Sequence, residues 1–344
     1  MATAVAFFAA LLITPLWTKF LYKYNLGKQV VRTDRAPIFS ELHKKKVGIP
    51  TMGGVIIWST VVLLALVFWA LARVYPNQLV SKLNFLSRGQ TWVPLGALVV
   101  GAVFGFIDDL FGILRIGPGG GGLKMRDRLL MYAVVGLLVA WWFFYKLDWN
   151  FINIPFYGDW VIGWWAVPLF TFVIVASAFS ANETDGLDGL AAGIFLTMFA
   201  AYAVIAFDQQ RMDLVVFLSA IMGSLVAFLW FNIYPAKFFM GDTGSMALGL
   251  VLGVVAMLTN TPFLLIPIAI IFILESGSVI LQLTSKKLRS GKKIFLSTPI
   301  HHHFEALGWH ETQVTMRFWM INTIGAIIGL IIFLVDSKIP PLFH

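Results

Sequence analysis

Ten apolar runs, each about as long as the roughly 20 residues needed to cross a bilayer, dominate this 344-residue chain. They fall near residues 2–23, 51–72, 93–113, 127–146, 161–181, 189–207, 213–232, 243–260, 263–285 and 314–335, each closed by charge or by a Gly/Pro cluster. A spanning segment must satisfy its backbone groups internally, and only helices and closed barrels do so. The chain therefore reads as an all-α polytopic integral membrane protein of about ten transmembrane helices, one domain over residues 1–344. Charged residues make up 12% of it, against roughly 25% in soluble domains, which excludes a soluble globular protein. The first run is of full spanning length, starts without a basic segment and carries Lys19 and Lys23 at its far end, so it reads as a retained span, not a cleaved leader.

The chain has no cysteine, so disulfide frameworks, thiolate metal sites and cysteine nucleophiles drop out. Chemistry falls to carboxylates, His, Lys and Arg. The formal net charge of +8 raises nucleic acid as a partner, and the placement of the charge answers it. Apart from Arg73, Lys82, Arg88, Lys146, Arg211 and Lys338, all of the 25 Lys and Arg residues lie in or beside the loops after the first, third, fifth, seventh and ninth runs. By the positive-inside rule those loops face the cytoplasm and both termini lie outside. Charge scattered over loops without a binding module suits anionic lipid headgroups and argues against nucleic acid. The aromatic stretch Trp149 to Trp165 suits an interfacial belt on the outer side.

Ionisable residues in or beside a span are costly and mark function. Here they gather at the cytoplasmic side. Asp108 and Asp109 close the third run, and adjacent carboxylates call for a nearby cation, Mg²⁺ being usual where phosphates are handled. Asp185 and Asp188 lie in Asn182-Glu-Thr-Asp-Gly-Leu-Asp-Gly-Leu190, where they would share a face if the segment were helical. Asp242 lies in Met240-Gly-Asp-Thr-Gly-Ser245, a tight turn feeding a helix N-terminus and so a ready anion site. His301, His302 and His303 follow one another and cannot all face one point, so phosphate contact or structural hydrogen bonding suits them better than zinc. Glu275, within the ninth run, is expected to pair inside the bundle or, with Gly277, to kink the helix.

The motifs Pro50-Thr-Met-Gly-Gly54, Phe106-Ile-Asp-Asp109, Asn182 with Thr184 to Leu190, Phe239 to Ser245, Ser278-Val-Ile-Leu-Gln282 and Pro299-Ile-His-His-His-Phe-Glu305 occur in that order. Together they resemble the phospho-N-acetylmuramoyl-pentapeptide transferase family, within the polyprenyl-phosphate N-acetylhexosamine-1-phosphate transferases. The resemblance implies ten spans with outside termini, Mg²⁺, a homodimer in the bacterial inner membrane, and a site facing the cytoplasm. There UDP-N-acetylmuramoyl-pentapeptide and undecaprenyl phosphate would give lipid I and UMP. It implies Asp242 as metal ligand, Asp108 nearest the prenyl phosphate and Asp109 in support of the same centre. Lys46, Asn182, Asp185 and Phe239 would surround the nucleotide, with Phe239 stacked on uracil and Asp188 supporting the Asp185 turn. Gln282, His301 and His302, with His303 beside them, would line the sugar and phosphate end. Family members carry a Lys before the Gly-Leu preceding the fourth run. This chain has Gly121 there, followed by Gly122-Leu123-Lys124, leaving Lys124 or Arg128 as the cation. Phe179 and Glu183 also depart from the family pattern.

A sister enzyme acting on UDP-N-acetylglucosamine is the nearest alternative, which the His301 to Glu305 segment disfavours. An ion-coupled transporter would carry its carboxylates at the bilayer midplane and show symmetry between halves. The sequence shows neither.

Overall fold

The computed structural model describes residues 1–27, 46, 48–75, 77–86, 89–117 and 121–338. The basic residues Lys28, Arg32, Arg35, Lys44 and Lys45 of the first loop lie outside the described residues. All ten apolar runs contain helix. In chain order the helices are α1 Ala2–Lys23, α2 Gly54–Val74, α3 Gln78–Leu83, α4 Gly89–Ile113, α5 Met125–Lys146, α6 Ala166–Thr184, α7 Leu190–Asp208, α8 Met212–Asn232, α9 Asp242–Leu258, α10 Leu265–Ile268, α11 Ile270–Leu288, α12 Ile300–Ala306 and α13 Glu311–Asp336. Among the described residues, eight helices are long and apolar enough to cross a membrane, and a ninth span results if α11 is counted with the segment Pro262–Ile268 before it.

That pair is bent by 86° at Ala269. The break is not at Gly277, which lies within continuous helix. Pro262 and Pro267 precede it, and each withholds a backbone N–H that a straight helix would use. The aromatic stretch after α5 also departs from a plain helical start. It folds into an antiparallel hairpin, β1 Phe151–Ile154 paired with β2 Gly158–Val161, and leaves Trp160, Trp164 and Trp165 exposed.

Helix α9 is the axis of the bundle: every one of its residues is buried. Without a hydrophobic drive between helices in lipid, close packing depends on small residues that let backbones touch. Gly101 and Gly105 of α4 lie against Ala247 and the Asp242–Thr243 backbone, and a Cβ on either would collide with main-chain atoms. On its other side, Gly249 and Gly253 of α9 lie against Ser177–Ala178 and Ile174 of α6. Gly54 of α2 meets Gly244 in the same way. The Gly105 contact has a chemical consequence, because Asp108 and Asp109 come one turn later and are delivered onto the first residues of α9. Around this centre α1 packs along α8, α5 along α6, and α13 along α7 and α10. Leu12, Leu16, Phe172, Trp230, Ile324 and Ile331 point outward, the apolar exterior a lipid-facing bundle requires.

Candidate active site

The helix ends meet in a buried cage of charge. Arg128, in the first turn of α5, pairs through Nη2 with Asp108 and, at 3.2 Å, with Asp242 Oδ2. Its Nη1 donates to Asn182 Oδ1 at 2.9 Å, and the Asn182 amide donates in turn to Asp242 Oδ1 and, at 3.3 Å, to Ser245 Oγ. Asp108 also accepts the Leu123 N–H. The chain reaches it through Gly122 at φ +87°, where a Cβ would stand 3.1 Å from Asp108 Oδ1. Of the two cations left open by the sequence, Arg128 occupies the cage. Lys124, the N-cap of α5, is exposed and forms no ion pair among the described residues.

Asp109, equally buried, points to a different task. It accepts the Thr243 N–H at 3.1 Å and the Thr51 hydroxyl at 3.2 Å, tying α4 to the N-terminus of α9, where a carboxylate is favoured by the helix dipole. Asp185 holds the same turn from α6 by accepting the Gly241 N–H at 3.0 Å. Gly241 has φ +74°, and a Cβ there would strike Asp109, so Met240-Gly-Asp-Thr needs glycine at that point. The Pro50 to Gly54 motif lies alongside. Phe239 N–H donates to Pro50 O, Gly53 N–H to Phe239 O and Gly54 N–H to Met240 O, each at 2.8 Å.

Asp185 and Asp188 do not share a helical face. The helix ends at Thr184, and Gly189, at φ +75°, starts the next, so the two acids diverge within a turn. Asp188 accepts Lys46 Nζ at 2.7 Å and the Ala236 N–H at 2.9 Å. Lys46 also pairs with Glu311 and lies 5.7 Å from the centre of the half-buried Phe239 ring. Glu311 closes the group by accepting the Asp188 N–H at 2.7 Å. The sequence reading missed Glu311; its signal is an acid in the first turn of an apolar helix.

The histidines form a third group on α12. His301 Nδ1 lies 3.0 Å from Glu275 Oε2, and its ring covers Gly186, where a Cβ would overlap it. His302 Nδ1 lies 2.7 Å from Glu305 Oε2, and the two rings meet edge to face with centroids 4.0 Å apart. Burial pushes His301 down to about 4. Burial, with the neighbouring His301, does the same to His302. Both are neutral near pH 7. Glu275 thus pairs inside the bundle. His303 accepts the Leu296 N–H at 3.2 Å and is only part-buried. Gln282 is committed to backbone: its Oε1 accepts the Ile294 and Phe295 N–H groups at 2.8 and 3.1 Å, and its amide donates to Phe295 O at 2.9 Å.

Among the described residues no three His, Asp or Glu side chains converge to hold a metal by themselves. Mg²⁺ characteristically takes one or two carboxylates and completes its shell with water and substrate phosphates. Asp108 and Asp242, with the Asn182 amide oxygen beside them, are hard oxygen donors gathered at one point, sharing one guanidinium that offsets only half of their charge. That donor set fits Mg²⁺ arriving with a pyrophosphate.

Residues 91–260 match the family described as Glycosyl transferase family 4. The chain is 38% identical over 328 residues to the phospho-N-acetylmuramoyl-pentapeptide-transferase of Listeria monocytogenes, covering 95% of each chain. It is 37% identical over 328 residues to that of Listeria innocua, again covering 95% of each. Against that of Chloroflexus aurantiacus it is 35% identical over 339 residues, covering 95% of this chain and 87% of the relative. With three of these motifs meeting at Arg128 and similarity running nearly end to end, the chain belongs to the phospho-N-acetylmuramoyl-pentapeptide transferase family.

Proposed function

We propose that this protein transfers phospho-N-acetylmuramoyl-pentapeptide from UDP-N-acetylmuramoyl-pentapeptide to undecaprenyl phosphate, giving lipid I and UMP for peptidoglycan synthesis. The observation that carries this reading is the meeting of Asp108, Asp242, Asn182 and Arg128 at one buried point. In the reaction an oxygen of the prenyl phosphate attacks the sugar-linked phosphorus. The pyrophosphate P–O bond breaks, and UMP leaves with the bridging oxygen. Donor and acceptor are both anions, so the barrier is largely charge repulsion.

Arg128 supplies a forked cation for the phosphates, with Asn182 fixing the orientation of its guanidinium. Asp242, with Asp108 beside it, would hold Mg²⁺, which when bound neutralises charge on the pyrophosphate. Asp108 faces the incoming prenyl phosphate. Its oxygens already engage Arg128 and the Leu123 N–H, and a carboxylate so held is a weak nucleophile, which supports a single displacement. Asp109 and Asp185 hold the turn before α9 in place.

The nucleotide end is formed by Phe239, placed to stack on uracil, and by Lys46. Asp188 and Glu311 hold that lysine by its ammonium. The neutral pair His301 and His302 serves the sugar and phosphate end as hydrogen-bonding groups, while Gln282 and His303 shape that end through the Ile294–Leu296 backbone. Lys124, exposed at the rim, supplies long-range attraction for the substrate anions.

The positive-inside distribution supports ten spans in one domain, outside termini, and a site facing the cytoplasm from the bacterial inner membrane. The family relationship supports a homodimer. The test is lipid I formation by detergent-purified protein given undecaprenyl phosphate and Mg²⁺ with either UDP-N-acetylmuramoyl-pentapeptide or UDP-N-acetylglucosamine. Product from the first alone is expected. Product from the second alone would assign the chain to the sister reaction.

A further inference from the structure

Tyr132 lies on α5 one helical turn after Arg128, so the two side chains leave the same face of the helix. It is 1% exposed, and among the described residues its hydroxyl has no hydrogen-bond partner. A phenol taken out of water with nothing to bond is costly, and buried polar groups are otherwise nearly always paired. Beside it the Arg128 Nε–H is also buried and without a partner, although the other two guanidinium nitrogens hold Asn182, Asp108 and Asp242. Two unused donors leave one helix face, and one of them belongs to the guanidinium that holds the cage together.

The charges that act on the phenol are Asp242, Arg128, Asp108 and Glu183. The first three are the cage itself. Arg128 Nε–H can only donate. The missing partner is therefore an acceptor, and one able to approach a fixed positive charge. A phosphate oxyanion meets both conditions. The Arg128 and Asp242 side chains are 17% and 12% exposed, so the guanidinium itself is open to an arriving anion.

We propose that Tyr132 is a further substrate-binding residue, whose phenol O–H, with the Arg128 Nε–H beside it, donates to an oxyanion of the transferring phosphate. This rests on the phosphoryl-transfer reading above.

Tyr132→Phe removes the hydroxyl and leaves the ring. A donor to a charged group predicts a fall in kcat/KM of about tenfold to a hundredfold. The melting temperature of the ligand-free variant should stay level or rise, because an unpaired polar group has gone. The rise in melting temperature on adding UDP-N-acetylmuramoyl-pentapeptide should shrink. Tyr132→Gln, which keeps an N–H donor at shorter reach, should fall between wild type and Tyr132→Phe in kcat/KM. Wild-type kcat/KM in Tyr132→Phe would overturn the assignment, as would equal losses in both variants matched by a lower melting temperature without ligand. If wild type itself releases no UMP, the phosphoryl-transfer reading falls, and Tyr132's role with it.

Discussion

Asp108 and Asp242, from the end of one helix and the start of another, lean on the same nitrogen of one side chain, Arg128 Nη2. Two buried carboxylates sharing a cation are stable only while that cation stays, since each would otherwise be left charged in low dielectric. The same point is where a pyrophosphate and its metal would bring compensating charge, so the resting cage and the reactive complex are two ways of balancing one set of charges.

Arg128→Ala should therefore damage both fold and function. Removing one partner of a buried ion pair costs about 3–5 kcal/mol, and loss of a fixed donor to a phosphoryl group lowers kcat by about a hundredfold or more. Arg128→Lys keeps the charge but not the fork to Asn182, and should retain part of the activity with a smaller loss of melting temperature. Steady-state UMP release and thermal melts in detergent, run on both variants, check this ordering.

The approach of α4 to α9 predicts a contrast among glycines. At Gly105 an added methyl would run into the Asp242–Thr243 backbone, whereas at Gly277 nothing lies within 4 Å. Gly105→Ala should lower the yield of folded protein and its melting temperature by the cost of overpacking, about 1–3 kcal/mol or more. Gly277→Ala should be neutral or stabilising through helix propensity. Size-exclusion profiles and melts of the two variants distinguish them.

Much of this was legible in the sequence. All ten apolar runs contain helix, because length and hydropathy go far to specify a helix in lipid, and Asp108 and Asp242 do meet. Partners were harder to read. Arg128 rather than Lys124 fills the cage because the turn at Gly122 and the first turn of α5 set which residue faces inward, and no local pattern states that. Glu311 reaches Lys46 and Asp188 across 265 and 123 residues of chain, a relation only the folded bundle reveals. The spacing of Asp185 and Asp188 leaves helix or turn open, and the structure shows the turn, with Gly189 at φ +75° starting the next helix. Of the two roles open to Glu275, pairing inside the bundle is the one the structure shows, and the bend falls at Ala269, after Pro262 and Pro267, not at Gly277.

The buried histidines predict acid sensitivity. His301 and His302 are held near 4 in the fold against 6.5 in an unfolded chain. Between those values the unfolded chain binds protons that the native state does not, so stability is full above pH 6.5 and declines as pH falls toward 4. Melting temperature measured across pH 4 to 7 should drop on the acid side. A His301→Gln/His302→Gln variant should show a shallower decline over that window.

Topology is directly testable, because the chain has no cysteine to remove. A single Ser290→Cys, in the exposed loop after α11, should react with a membrane-impermeant maleimide only in inside-out vesicles. A single Asp159→Cys, in the hairpin, should react from the outside of intact cells. The reverse pattern would invert the orientation drawn from the charge distribution.

The most direct measurement is UMP release from UDP-N-acetylmuramoyl-pentapeptide and undecaprenyl phosphate with Mg²⁺, comparing wild type with Asp242→Ala and Asp108→Asn, each shown to be folded by melting. Robust release by wild type, abolished in Asp242→Ala and reduced by about a hundredfold or more in Asp108→Asn, is the expected result. Wild-type rates in folded Asp242→Ala would contradict the assignment of the reaction to this cage.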